Sequence, residues 1–343
     1  MPIRDVEQQP HALESLRRAL VGGRLHHAYL FTGPPGVGKG LAALGMAEAL
    51  LCEAPAGDGD ACGDCSPCLR TRAGHHADLH RVERLTKSDG TLERQIKINQ
   101  VRSLQRALSF KSFEGARRVV LLFEPEKMNP ATANALLKTL EEPGAETHFI
   151  LVSDAAHRLL PTIVSRCQRV RFAPLSREFV AARLVAEAEL EQQDALLVAG
   201  LAEGSLGQAL RLANSEVLTE RKRYLDGIDG RATLADVPDR MDLAERLAKK
   251  KTELPLVLHV LRTWYRDVLL VQSGAPTTRL VHRDRVDDLR LRARTLSGRE
   301  AIERLERINA AETDIFERNA NARLTLEALL IRLAGDNVDG RAA

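Results

Sequence analysis

The chain has 343 residues, of which 44% are apolar, 28% charged and 3% aromatic, and its formal net charge is +3 at pH 7. This balance is typical of globular proteins, and the length predicts about two to three domains. So small a positive charge and so few aromatic rings give no support for tight DNA binding by this chain alone. The sequence has no run of about 18 apolar residues and no apolar leader, so we expect no membrane span and a cytoplasmic location.

The first predicted strand, Ala28–Thr32, leads into a glycine-rich loop and then into a predicted helix over Lys39–Leu51. The loop follows the phosphate-binding pattern G-x-x-x-x-G-K-[ST], in which backbone N–H groups surround phosphate oxygens and the lysine reaches the outer phosphates. The predicted cofactor-binding residues are Gly33, Pro34, Pro35, Gly36, Val37, Gly38, Lys39 and Gly40.

Gly40 stands where this pattern requires serine or threonine, whose hydroxyl binds Mg²⁺. The loop is therefore degenerate, although Lys39 and the loop amides remain. Because a helix N-terminus attracts anions without a metal, the sequence is compatible with residual nucleotide binding. We expect the binding of ATP or ADP to be weak or absent.

Four cysteines follow the predicted helix at the spacing C-x9-C-x2-C-x2-C, in a segment rich in glycine. Four thiolates at this spacing can surround one tetrahedral Zn²⁺ at about 2.3 Å each, and such a zinc is structural because no position is left for water. A reducing cytoplasm disfavours disulfides, and an iron–sulfur cluster is a further alternative. The predicted ligands are Cys52, Cys62, Cys65 and Cys68, whereas Cys167 is expected to be a small buried residue.

Further strand-like runs at Arg118–Phe123 and His148–Val152 alternate with predicted helices over Val101–Leu108 and Asn129–Leu140. Short apolar strands separated by helices predict a parallel sheet covered on both faces. The first half of the chain is therefore predicted to be an α/β domain.

From Arg177 to Ala334 the apolar spacing is helical instead. Pro174, after the last predicted strand, and a break near residues 213–217 divide the chain. We predict an α/β domain over residues 1–173 with its zinc module at 52–68, then helical domains over 174–213 and 214–343.

These features together resemble the clamp-loader branch of the AAA+ ATPases, in particular bacterial DNA polymerase III subunits of the gamma/tau and delta-prime types. The segments IKINQVR (96–102), ANALLKTLEEP (133–143) and LPTIVSRC (160–167) resemble the delta-prime type, and the last contains the Ser-Arg-Cys motif. The resemblance covers essentially the whole chain. It implies an AAA+ parallel-sheet P-loop domain with an inserted zinc module, a small helical lid domain and an all-α collar domain for oligomerisation.

The resemblance also identifies catalytic groups that are missing. In hydrolysing members, the strand that corresponds to Arg118–Phe123 ends in Asp-Glu. The aspartate holds the magnesium shell, and the glutamate polarises the attacking water. Here the pair is Phe123-Glu124, so Glu124 is a vestigial catalytic residue. A sensor arginine of the lid domain corresponds to Gly207, and Arg211 about one helical turn later would face elsewhere. With Gly40, these losses predict a site that does not hydrolyse ATP.

Arg166 in the Ser-Arg-Cys motif matches the clamp-loader arginine finger, which reaches into the nucleotide site of a neighbouring subunit. Such a guanidinium stabilises the charge of the transferring phosphoryl group and contributes about 10³–10⁵-fold to the rate. The resemblance thus implies a non-hydrolysing subunit of a hetero-oligomer that supplies Arg166 in trans. Its implied partners are gamma/tau and delta subunits and, through the assembly, the sliding clamp and primed DNA, with no membrane.

Two alternatives remain. An active gamma/tau-type motor would use Lys39 and Glu124 with magnesium held by water and substrate phosphates alone, and Gly40 and Phe123 count against it. A zinc-dependent nucleic-acid-binding module would carry the phosphate loop as an inert relic. The small net charge and the few aromatic residues count against that alternative.

Overall fold

The computed structural model divides the chain into two compact units, with the boundary between Leu175 and Ser176. The residues that it describes are 2–88, 90–115, 117–229, 237–250 and 252–334. The boundary lies close to the one predicted at Ala173–Pro174. The further division of the second half near residue 213 stays a prediction.

The first unit is built on a parallel sheet of five strands: β1 (Ala28–Thr32), β2 (Leu79–Val82), β3 (Arg118–Phe123), β4 (Thr147–Ser153) and β5 (Gln168–Arg171). Their order in the sheet is β2-β3-β4-β1-β5. Every residue of β4 is buried, as expected for a parallel sheet that is covered on both faces. The predicted parallel α/β architecture is confirmed. Sequence reasoning missed β2, because polar His80 and Arg81 interrupt its apolar run.

Helices flank the sheet: α1 (Pro10–Val21), α2 (Lys39–Leu51), α3 (Ser66–Arg72), α4 (Ile98–Leu108), α5 (Pro130–Glu141) and α6 (Pro161–Val164). Small side chains, among them Ala43 and Ala47, allow α2 to pack closely on β3 and β4. Helices α4 and α5 contribute Val101 and Leu136 to a core with Phe149 of β4. The first turn of α5 is capped by the side chain of Asn129, which accepts the backbone N–H of Thr132.

The carboxyl ends of parallel strands meet at one edge of a sheet, where α/β proteins bind their ligands. In this sheet β4 lies between β1 and β3. The residues that directly follow these strands are Gly33 after β1, Glu124 after β3 and Asp154 after β4. The fold therefore brings the phosphate loop and two carboxylates to the same edge.

The described residues of the second unit form nine α-helices: α7 (Arg177–Ala188), α8 (Gln192–Leu201), α9 (Leu206–Ala213), α10 (Glu216–Asp229), α11 (Val237–Lys249), α12 (Leu254–Gln272), α13 (Val286–Thr295), α14 (Gly298–Phe316) and α15 (Ala322–Ala334). On α15 the leucines at 326, 329, 330 and 333 are buried, as the helical apolar spacing predicts, whereas Leu324 is exposed. Gly207 and Arg211 both lie on α9. Among the described residues, no helix combines the length and the apolar character that crossing a membrane would require.

Candidate functional site

The glycines of the predicted phosphate loop have conformations that other residues rarely adopt. The φ angle is +70° at Gly36 and +97° at Gly38. At Gly33 a Cβ atom would lie 2.3 Å from the carbonyl oxygen of Phe172, so there is no space for a side chain. Helix α2 begins at Lys39 directly after Gly38, which places its first N–H groups and its positive end at the loop.

The side chain of Lys39 is only 3% exposed and is held by the chain itself. Its Nζ lies 2.7 Å from the carbonyl oxygen of Gly33 and 2.6 Å from a carboxylate oxygen of Asp154, and it also donates to the carbonyl oxygen of Pro34. An ammonium group has three donors, and these acceptors account for all three. The predicted phosphate-binding lysine is therefore paired with an aspartate that sequence reasoning missed.

Gly40 and Phe123, where the sequence predicts the loss of magnesium ligands, lie against each other. A Cβ atom on Gly40 would lie 3.6 Å from Cε1 of Phe123. The guanidinium of Arg81 lies over the Phe123 ring, 5.4 Å from its centroid. Magnesium requires oxygen ligands, and neither a hydrocarbon ring nor a guanidinium can supply one. Residue 40 thus faces a hydrocarbon ring, which offers no ligand to a magnesium ion.

Glu124 leaves β3 in the left-handed conformation, with φ at +51°. Its carboxylate accepts two hydrogen bonds from Arg84, of 2.6 Å from Nε and 2.9 Å from Nη2. Arg84 also donates to the carbonyl oxygen of Glu93 at 3.3 Å. Bidentate charge-assisted pairs of this kind are strong and geometrically specific. Both oxygens of Glu124 are therefore engaged by Arg84, which the sequence did not single out.

Hydrogen bonds also fix Asp154, which directly follows β4. Glu126 accepts the hydroxyl of buried Ser153 at 2.7 Å and the backbone N–H of Asp154 at 3.2 Å. The hydroxyl oxygen of Ser153 in turn accepts the backbone N–H of Ala155 at 3.2 Å. A polar Ser-Asp pair directly after a buried strand is a signal that could have identified Asp154, because the strands end at the ligand-binding edge.

Arg166 lies between α6 and β5, and its side chain is 36% exposed. Its Nη1 donates to the carbonyl oxygen of Thr162 at 2.9 Å, and its Nη2 lies 2.5 Å from a carboxylate oxygen of Glu141 at the end of α5. These contacts lie outside the phosphate loop. The guanidinium is therefore anchored at two points while part of it stays accessible to another molecule.

The four predicted metal ligands converge in the fold, with their sulfur atoms all within 4.8 Å of one another. The separations are 3.6 Å between Cys52 and Cys62, 3.8 Å between Cys52 and Cys65, and 3.9 Å between Cys62 and Cys68. Four sulfurs that bind one ion tetrahedrally at about 2.3 Å would stand about 3.8 Å apart. The cluster can therefore hold one metal ion.

The thiols of the cluster differ in their surroundings. Burial raises the pKa of the Cys52 and Cys68 thiols, whereas backbone N–H groups, first that of Asp64, lower the pKa of the Cys62 thiol to about 6. Cys167 lies elsewhere, partly buried against the core of the sheet, and burial raises the pKa of its thiol to about 12. It is therefore a packing residue and lies outside the cluster.

The cysteine cluster is tied to the phosphate-loop helix and to the first residues of the chain. Glu48 of α2 is fully buried and accepts hydrogen bonds of 3.1 Å and 3.0 Å from Arg72 of α3. Asp60, also fully buried, accepts the backbone N–H groups of Ile3 and Arg4 at 2.9 Å each. These long-range contacts fix the segment between Cys52 and Cys68 against the rest of the first unit.

Comparison with known proteins agrees with the resemblance seen in the motifs. A family model described as DNA polymerase III, delta subunit, matches residues 8–176, and one for the C terminal part of that subunit matches residues 215–335. DNA polymerase III subunit delta' of Bacillus subtilis is 29% identical over 95% of this chain and 96% of its own length, and that of Pseudomonas aeruginosa is 34% identical over 92% and 94%. DNA polymerase III subunit tau of Escherichia coli is 33% identical over 62% of this chain and 32% of its own length. The chain therefore belongs to the delta-prime family of DNA polymerase III subunits.

Proposed function

We propose that this protein is a non-hydrolysing subunit of the replicative clamp loader, which lends Arg166 to the nucleotide site of an adjacent subunit. The observation that carries this proposal is the contact between Phe123 and the position of Gly40. The two positions that supply magnesium ligands in hydrolysing relatives are occupied here by a ring and a glycine that pack together.

Magnesium neutralises the developing charge on the γ-phosphate and bridges its oxygens in phosphoryl transfer. Loss of one protein ligand can be tolerated when the other still holds the ion. Here both are absent, and the guanidinium of Arg81, which is also paired with Glu83 at 3.3 Å, lies over the Phe123 ring. A divalent cation would find no oxygen ligand at either position.

Glu124 adds a second obstacle to hydrolysis. A glutamate that polarises the attacking water needs a carboxylate oxygen directed at that water. Both oxygens of Glu124 are instead engaged by Arg84 in a bidentate pair. Releasing one of them would break a charge-assisted hydrogen bond.

Arg166 has the features that a finger requires. It is partly exposed, so it can reach another subunit, and its contacts with Thr162 and Glu141 restrict its orientation. An arginine held in this way loses little conformational freedom when it meets a phosphate. This supports the role in trans that the Ser-Arg-Cys motif implies.

The proposed partners are gamma/tau and delta subunits, which together with this chain would form a hetero-oligomer in the cytoplasm. In that assembly, ATP binding by gamma/tau would open the sliding clamp and place it on primed DNA. The second unit would serve as the helical collar through which subunits associate. The similarity of this chain to both delta' and tau subunits supports membership of such an assembly.

We also propose that the ion held by the four cysteines is Zn²⁺. Four thiolates at tetrahedral spacing are a zinc donor set, and they leave no coordination position for water or substrate. The zinc would therefore hold the segment between Cys52 and Cys68 in shape, and the ATP chemistry would take place elsewhere.

The purified chain is expected to show no magnesium-dependent ATP turnover above background, because neither position supplies a metal ligand. Phosphate release would be measured for the wild-type chain and for Lys39→Ala, each alone and then mixed with gamma/tau and delta subunits. We expect turnover only in the mixtures, and higher turnover there when this chain is included. Turnover by the chain alone that Lys39→Ala abolishes would instead favour the gamma/tau-type motor.

A further inference from the structure

Other residues hold both partners of the ion pair between Lys39 and Asp154 in place. On one side, Lys39 is almost fully buried and two loop carbonyls, those of Gly33 and Pro34, orient its ammonium group. On the other side, Glu126 and Ser153 hold the backbone that presents Asp154. A lysine and an aspartate that meet by chance on a surface would not have both partners fixed in this way.

The ion pair lies at the N-terminus of α2, where a phosphate group would bind. Lys39 is the first residue of α2, where backbone N–H groups and the helix dipole favour an anion. Asp154 already supplies a carboxylate to the ammonium group at 2.6 Å. An incoming polyphosphate must therefore displace one anion to bind there, and without a magnesium ion it brings its full negative charge to the loop.

Neighbouring charges do not remove this barrier. Arg84 is paired with Glu124, so the two charges offset each other. Glu126 adds a negative charge beside Asp154, and its oxygens already accept hydrogen bonds from Ser153 and Asp154. The net charge around the Lys39 ammonium group thus depends chiefly on Asp154.

We propose that Asp154 is an internal competitor for phosphate, which neutralises Lys39 and suppresses the binding of polyphosphate to an otherwise competent loop. The ligand class is the phosphate chain shared by nucleoside diphosphates and inorganic pyrophosphate. The loop does not bind phosphate because the carboxylate of Asp154 holds Lys39. The backbone of the loop remains suited to an anion. This concerns binding at this chain's own loop and goes beyond the finger role of Arg166.

Asp154→Asn tests the proposal, because it removes the charge while keeping nearly the same size. Binding of pyrophosphate and of ADP would be measured by calorimetry in magnesium-free buffer without a chelator, so that the cysteine cluster keeps its metal. We expect both ligands to bind at least about 10-fold more tightly to the variant than to the wild type, since a competing ion pair is lost. A gain for ADP alone would mean that the base is bound rather than the phosphates, and would overturn the proposal.

Three further variants make the result specific. Combining Asp154→Asn with Lys39→Ala should abolish the gain, because the released ammonium group is its source. Asp287→Asn removes the same charge from a side chain that is 97% exposed on α13, and it should bind like the wild type. Asp154→Ser repeats the test with a second neutral side chain, and thermal unfolding of each variant shows whether it is folded.

Equal affinities for the wild type and both folded Asp154 variants would overturn the proposal, as would a gain that persists without Lys39. The magnesium-dependent ATP turnover of Asp154→Asn separates this inference from the proposed function. We expect no turnover, because Gly40 and Phe123 are unchanged in the variant. Turnover would count against the non-hydrolysing role, whereas absent anion binding would count only against Asp154 as a competitor.

Discussion

Replacing Arg166 by alanine is expected to slow ATP hydrolysis at the adjacent nucleotide site of the assembled clamp loader by about 10³-fold or more. The physical reason is that a fixed guanidinium neutralises charge that spreads over the γ-phosphate oxygens in the transition state. A methyl group supplies no such charge. Assembly itself should persist, because the contacts of Arg166 with Thr162 and Glu141 are partly exposed and contribute little to stability.

The measurement is single-turnover hydrolysis by the complex of this chain with gamma/tau and delta subunits. Where the assembly holds more than one hydrolysing site, steady-state rates would average over them. In single-turnover experiments, the ATP bound at the site next to this subunit should no longer be hydrolysed in the fast phase when Arg166 is replaced by alanine. Size-exclusion chromatography of the same samples checks that the complex is intact.

Two variants show whether the effect belongs to this guanidinium. Arg166→Lys keeps the charge but loses the planar fork, so we expect an intermediate rate. Arg169→Ala removes an exposed arginine from the adjoining strand β5 and should leave the rate unchanged. An unchanged fast phase in Arg166→Ala, or equal losses in Arg166→Ala and Arg169→Ala, would remove the finger role.

The sequence predicted the parallel sheet because this depends on local signals. Apolar runs define β1, β3 and β4, and the glycine-rich loop is contiguous with Lys39. The side chains that contact Gly40 and Glu124 could not be predicted. The packing of Phe123 against Gly40 and the pairing of Arg84 with Glu124 join residues that lie far apart in the sequence.

The cysteine cluster shows the same division between local and distant information. The spacing of four cysteines within 17 residues, from Cys52 to Cys68, was enough to predict a metal site. The fully buried carboxylates of Glu48 and Asp60 were not predicted, because charged residues are usually exposed and their partners lie elsewhere in the chain. These two residues connect the metal site to the rest of the first unit.

That connection makes removal of the metal the second large effect that we expect. Cys68 is fully buried, and Cys68→Ser should abolish stoichiometric zinc binding because it removes one of the four thiolates. Structural zinc is bound with about 10–16 kcal/mol in small zinc domains, so its loss is expected to have a large effect on stability. The segment between Cys52 and Cys68 would then lose its fixed shape. If α3 moves away, Glu48 is left buried without Arg72, a change that costs about 3 kcal/mol or more for buried pairs. The cost is lower than for a fully buried pair, because Arg72 is partly exposed and water already weakens its interaction with Glu48.

Two measurements, metal analysis and hydrogen exchange, follow the loss of the zinc and of the structure around it. Metal analysis should return about one zinc per wild-type chain and none for Cys68→Ser. Hydrogen exchange should increase at residues 2–6 and 60–72, because Asp60 holds the backbone of Ile3 and Arg4, but not at the buried strand β4. Cys167→Ser is the matched control, because this thiol lies outside the cluster and should keep the zinc. A Cys68→Ser protein that retains its zinc, or zinc-free protein that exchanges and unfolds like the wild type, would show that these four thiols do not hold a structural ion.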